Sequence, residues 1–150
     1  MCKKLPRILI VDDDINMLKA LKLILEDQAG CLEILTAESV DLADDIIQRT
    51  EDLAGIIMDI NLAHGISGED FARYLRSRGE SLGITLMSGQ VKHDGKFNFI
   101  AKPFDNIDIL KVAKKMISHW SIRQDTTIMR NDMTLLMQTF EKAGYNVSTR

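Results

Sequence analysis

Residues 7–14 read RILIVDDD, and that stretch decides the fold class. Arg7 to Val11 is a short β-branched and leucine run without polar alternation, the pattern of a strand buried on both faces. It stops abruptly at three aspartates. From Ile15 to Asp27, Leu18, Leu21, Ile24 and Leu25 recur at helical spacing, and Gly30 supplies a stop. Strand, acidic turn and helix follow one another within about two dozen residues.

The same alternation continues outward. Leu32 to Thr36 reads as a strand, Val40 to Arg49 as a helix and Gly55 to Ile60 (GIIMDI) as another fully apolar strand. A loop through Asn61 to Ser67 leads to a helix that carries Phe71, Tyr74 and Leu75 and ends near Gly79. Strands at Ile84 to Met87 and Phe97 to Ala101 follow, then a helix from Asp105 to about Trp120. Parallel neighbours need crossover connections, so five strands alternating with helices predict an α/β fold with a parallel sheet covered on both faces.

Composition agrees with one such domain. The chain has 150 residues, 45% hydrophobic and 27% charged, with a formal net charge of −3. A chain of this length buries about 70% of its unfolded surface in a single core. Its mildly acidic balance gives no electrostatic footprint for nucleic acid or an anionic membrane. Cys2 and Cys31 lie far apart with no zinc-ligand spacing, which reads as free thiols in a reducing compartment. The apolar run after Pro6 is too short for a signal-peptide core or a membrane span, so a cytoplasmic location is expected.

Ligand sites in open parallel sheets lie beyond the carboxyl ends of the strands. Asp12 and Asp13 stand there after the first strand, Asp59 after the third, Ser88 after the fourth and Lys102 after the fifth. Two like charges 4 Å apart repel by about 4 kcal/mol at an effective dielectric near 20, so three carboxylates on one rim call for a cation or a raised pKa. Oxygen ligands without His or Cys select Mg²⁺ or Mn²⁺, which commonly share their shell with phosphate oxygens. Lys102 offers a point charge and Ser88 a hydroxyl to such a phosphoryl group. Asp59, central among these strands, is the candidate nucleophile for an aspartyl-phosphate. A lone Asp-Asp-Asp after a strand is more often a helix cap and turn; the set of strand ends, not the triplet, carries the functional reading.

Taken in order, ILIVDDD, IIMDINL with a later Gly68, ITLMSG and FIAKPF resemble the receiver domain of bacterial two-component response regulators over roughly residues 7 to 120. The resemblance implies a flavodoxin-like doubly wound sheet of order 2-1-3-4-5. It implies that Asp59 accepts phosphate from a sensor histidine kinase or a phosphotransfer protein and switches binding to a downstream protein. Mg²⁺ would be held by Asp12, Asp13, Asp59 and the backbone carbonyl of Asn61. Ser88 and Lys102 would contact the phosphoryl oxygens, and Phe99 occupies the place of the family's switch aromatic. The alternative is a receiver-like interaction module that works without phosphorylation. A phosphohydrolase of the haloacid-dehalogenase type would want an aspartate where Asn61 stands.

Three departures stand out. The loop LAHGISG (62–68) lacks the family's usual proline and is one residue longer. Only Gly89 to Lys96 remain for the fourth crossover, below the 10 to 12 residues usual with a helix, so the fourth helix is expected to be shortened or absent and one flank of strands four and five to lose apolar cover. Beyond the receiver at 1–120, residues 121–150 form an extension that is not an independent domain. Its Ile122, Thr126, Met129, Met133, Leu136 and Phe140 make a helical seam out of phase with Ile109, Ala113, Met116 and Trp120. That mismatch predicts a bend near 121–127 and a separate helix ending before Gly144, which covers the thinned flank in the same chain or makes a homodimer. The extension, with four basic and three acidic side chains, is too small for a DNA-binding output domain. Of the dispersed histidines only His64, in the loop beside the site, is a candidate functional group.

Overall fold

The computed structural model describes residues 4–29, 32–63, 65–89, 95–142 and 144, and gives the backbone alone at helix positions 28, 29, 127–129, 132, 136 and 140. In chain order the elements are β1 (Arg7–Val11), α1 (Ile15–Ala29), β2 (Glu33–Ala37), α2 (Val40–Arg49), β3 (Leu53–Asp59), α3 (Gly68–Ser77), β4 (Gly83–Ser88), β5 (Asn98–Ala101) and α4 (Asn106–Lys142). The five strands form one sheet, all neighbours parallel, in the order β2-β1-β3-β4-β5.

The continuous apolar runs are explained by cover on both faces. Because successive strand residues point to opposite sides, Ile8, Ile10, Ile57, Met87 and Ile100 meet α1 and the first half of α4. Leu9, Val11, Ile56, Met58 and Leu86 meet α2 and α3. Polar side chains start the helices: Ser39 Oγ accepts from the Leu42 amide and Ser67 Oγ from the Asp70 amide. At α4, Asp105 and Asp108 cap reciprocally, each carboxylate accepting the other's backbone N–H.

β4 leads to β5 with no helix among the described residues of the connection; residues 90–94, including His93, lie outside the description, as does His64. The flank expected to lose its apolar cover keeps it. Ile84 and Leu86 are 2% exposed, in the cluster against which Phe97 and Phe99 pack. Phe99 stands opposite Leu86 on that face of the sheet.

The expected bend near 121–127 does not occur. α4 is one helix of 37 residues that ends before Gly144. Its two stripes are out of phase because they face different surroundings: at 3.6 residues per turn the stripe of Ile122, Thr126 and Met133 points about 130° away from that of Ile109, Ala113 and Met116. Ile109, Ala113 and Met116 are buried against the sheet, whereas Ile122 and Met133 are exposed. The helix leaves the sheet on the α1 face, so its outer half does not fold back over the flank of β4 and β5. Where it leaves, Trp120 Nε1 donates to the Asp52 carbonyl at 3.1 Å, fastening α4 to the turn before β3.

Candidate functional site

Of the three aspartates after β1, Asp14 is the helix cap. Its Oδ1 accepts from the Asn16 amide at 2.9 Å, and from the Met17 amide at 3.4 Å. Asp12 and Asp13 are thereby left to the rim. Asp12 is 1% exposed, with its amide bonded to the Ala37 carbonyl and its Oδ1 accepting from the Asp14 amide at 2.9 Å. Asp13 is exposed.

Asp59 ends β3 between these residues and β4. It is 7% exposed, and its Oδ1 accepts from the Asn61 amide at 3.0 Å. The turn that follows is tight: the Gly68 amide donates to the Ile60 carbonyl at 2.8 Å. A Cβ on Gly68 would collide with the Asp59 carbonyl oxygen, so α3 can start this close to the site only with glycine there. Beyond this contact Asn61 and Asp13 border the same shallow cleft.

Lys102 follows β5, its amide bonded to the Ser88 carbonyl at 2.8 Å. Lys102 Nζ donates to Asp59 Oδ2 at 2.9 Å and lies 3.5 Å from Asp12 Oδ2. Ser88, buried at the end of β4, pairs with Ala101, one residue before Lys102. Four strand ends therefore bring Asp12, Asp13, Asp59, Ser88 and Lys102 to one edge. Phe99 lies lower on β5, opposite Leu86 and half-buried in the α2/α3 cluster, not among the rim groups. What the sequence reading missed is structural: Asp14 as the cap, and Gly68 as the place where backbone meets backbone. An aspartate two residues before a helical amide and a glycine at a helix start were the available signals.

Electrostatically the bowl is unbalanced. Ligand oxygens of Asp12, Asp13 and Asp59 lie within 4.8 Å of one another, with the Lys102 ammonium beside Asp12 and Asp59. Asp12 is pushed above its ordinary value chiefly by burial, with the charges of Asp59 and Asp13 adding to the rise and the Asp14 amide and Lys102 opposing it. Burial works against the charged form of Lys102, yet its hydrogen bond to Asp59 and the charges of Asp59 and Asp12 outweigh that, so its net shift is upward. Asp12 Oδ2 is buried without a hydrogen-bond partner among the described residues; Lys102 at 3.5 Å offers it charge but no good hydrogen bond. A buried carboxylate oxygen in this state is relieved by a further cation or by a proton.

Comparison with known proteins fits this geometry. The model of the response regulator receiver domain matches residues 8–114. The chain belongs to that family. No curated protein matches it in sequence. Solved receivers share the fold: a chemotaxis response regulator from Vibrio cholerae is 22% identical, with a TM-score of 0.64, over 75% of this chain and 99% of its own. The signal receiver domain of an HD domain-containing protein from Pseudomonas fluorescens Pf-5 is 17% identical, with a TM-score of 0.71, over 83% and 96%. A CheY-like receiver domain protein from Methanospirillum hungatei JF-1 is 25% identical, with a TM-score of 0.63, over 79% and 98%. The receiver match stops at residue 114, inside α4, and the outer half of that helix lies beyond it. No described helix is long and apolar enough to cross a membrane.

Proposed function

We propose that this receiver is a cytoplasmic phosphoacceptor that takes a phosphoryl group onto Asp59 from a histidine kinase or phosphotransfer protein and thereby changes its affinity for a downstream protein. The observation that carries the reading is the convergence of three carboxylates and Lys102 at the carboxyl edge of the sheet, with Asp12 Oδ2 left without a hydrogen bond among the described residues.

The oxygen-only donor set fits Mg²⁺, which keeps most of its waters and accepts few protein carboxylates. Asp12, Asp13, Asp59 and the Asn61 carbonyl are the proposed ligands. When bound, the ion supplies positive charge that offsets the carboxylates and the incoming phosphoryl oxygens. The rest falls to the chain. An Asp59 carboxylate oxygen attacks phosphorus, an aspartyl P–O bond forms, and the donor's bond to phosphorus breaks, the leaving group taking its electron pair. The Asn61 amide, on Oδ1, fixes the orientation of the carboxylate. Lys102 is held 2.9 Å from Oδ2 before transfer and follows the developing charge onto a phosphoryl oxygen, with the Ser88 hydroxyl as second donor. This is positioning and charge neutralisation, the main contributors to phosphoryl transfer. Movement of Ser88 and Lys102 toward the phosphoryl group would then bias β4, β5 and Phe99 between two arrangements that a partner distinguishes.

The test is intact-mass spectrometry after incubation with Mg²⁺ and acetyl phosphate. The wild type gains one phosphoryl group, the gain maps to Asp59, and Asp59→Asn abolishes it. A wild type that stays unmodified with the small donor and with a phosphohistidine donor supports the phosphorylation-independent module instead.

A further inference from the structure

We infer that the outer half of α4 pairs with the same segment of a second copy of this chain, as a parallel two-stranded coiled coil over residues 122–140. Two observations are independent of the phosphoacceptor reading. The first is a seam whose described side chains lie open to solvent. Ile122, Thr126, Met129, Met133, Leu136 and Phe140 alternate spacings of four and three, the heptad pattern whose residues stay on one side of a supercoiled helix. Ile122 is 62% exposed and Met133 58%. The stripe points away from the chain's own sheet, and the unbroken helix keeps it from turning back. The flank of β4 and β5 offers it little, since Ile84 and Leu86 are already buried.

The second observation selects the occupant. In heptad register the seam is flanked on one side by Asp125 and Asp132 and on the other by Arg123 and Arg130. In a parallel pair a residue on the first side faces the residue five places later on the other helix. Asp125 therefore faces Arg130 of the partner subunit, twice by symmetry, and both are exposed in the single chain. An antiparallel pair would set the acidic line against the acidic line and the basic against the basic. The segment thus carries both halves of its own complement, which points to a second copy rather than to an unrelated helix. The line opposite the seam is amide throughout, Gln124, Asn131 and Gln138, as a solvated back face requires. A seam of under three heptads is short for free peptides, but here the folded domain already supplies the helix nucleus. Parallel pairing sets both receivers at the same end of the coiled coil, so a partner meets two rims at once.

Sedimentation equilibrium of the full chain tests this. The wild type is expected at twice the 16.9 kDa chain mass at micromolar concentrations. Met133→Glu is expected to weaken association about tenfold or more, because a charge would be buried unpaired in the seam, while the circular dichroism and melting of the receiver persist. Asp125→Arg alone also weakens it, and adding Arg130→Asp restores it. A wild type that stays monomeric at all concentrations overturns the proposal, as does a dimer indifferent to Met133→Glu. Failure of the double exchange to recover association overturns the parallel arrangement.

Discussion

At the rim, Asp12, Asp13 and Asp59 are held within 4.8 Å of one another beside Lys102; along the outer half of α4, Ile122, Met133 and Leu135 stand in solvent. Both regions are unfavourable in the isolated chain, and for different reasons. The rim concentrates like charge where burial weakens its hydration. The helix exposes apolar surface that water disfavours. The rim's deficit is of positive charge and is small in space, so under the proposed function a single cation offsets it. The deficit of the helix runs over several turns and needs a surface of matching length. Each kind of imbalance names its remedy by its chemistry and its size.

The largest effect that could break this contrast is expected from Asp12→Asn. Changing even an outer partner of a metal ligand commonly lowers affinity 10- to 100-fold, so loss of this carboxylate should weaken Mg²⁺ binding at least about 100-fold in a calorimetric titration. The same change removes a buried like charge. Without metal its melting temperature should rise by roughly 2–4 °C, the shift that about 1 kcal/mol produces in a chain this size. The sign follows from the raised pKa of Asp12. A carboxyl whose folded value exceeds its ordinary 3.8 opposes folding while ionised, and that opposition fades as pH falls through the folded value toward 3.8. Mg²⁺ affinity should decline over the same window, because proton and cation compete for the carboxylate. Lys102 acts oppositely: its raised value contributes stability fully below 10.5 that is lost as pH climbs through the folded value. A metal-free melting temperature that falls in Asp12→Asn would mean that Lys102 already balances the bowl.

An intermediate effect sharpens the contrast. Cutting the chain after Gln124 should abolish self-association yet leave Mg²⁺ affinity within about twofold of the wild type, since sites that share no partners behave additively. Coupling larger than that would show that the helix reports on the rim. The smallest effect concerns Trp120, the chain's one tryptophan. It is fastened to Asp52 in the turn before β3, whereas the rim lies after the carboxyl end of that strand. Titration with Mg²⁺ should therefore leave its emission nearly unchanged; a large quench would place the ion elsewhere.

The sheet and the rim were legible because their signals are local and redundant. RILIV and GIIMD can be continuous apolar runs only where both faces are covered, and each run is punctuated by the polar residue that the strand delivers to the edge. What sequence reading missed depended on direction in space. Two stripes out of phase suggest a bent helix as readily as a straight one with two different neighbours, and periodicity cannot distinguish them. Ile84 and Leu86 are buried in a cluster that Phe97 and Phe99, two residues apart, pack against, and a shortened crossover in the sequence does not foretell that packing. Asp14 was hidden among three identical residues whose roles only the hydrogen bonds of α1 separate.

The most direct test of the central claim is a crystal structure of the protein grown with Mg²⁺ and beryllofluoride, a mimic of the phosphoryl group. The account predicts an ion bound by Asp12, Asp13, Asp59 and the Asn61 carbonyl, beryllium on an Asp59 oxygen, and fluorines contacted by Lys102 Nζ and Ser88 Oγ. Lys102 still seated on Asp59, with neither ion nor fluoride in the bowl, would contradict it.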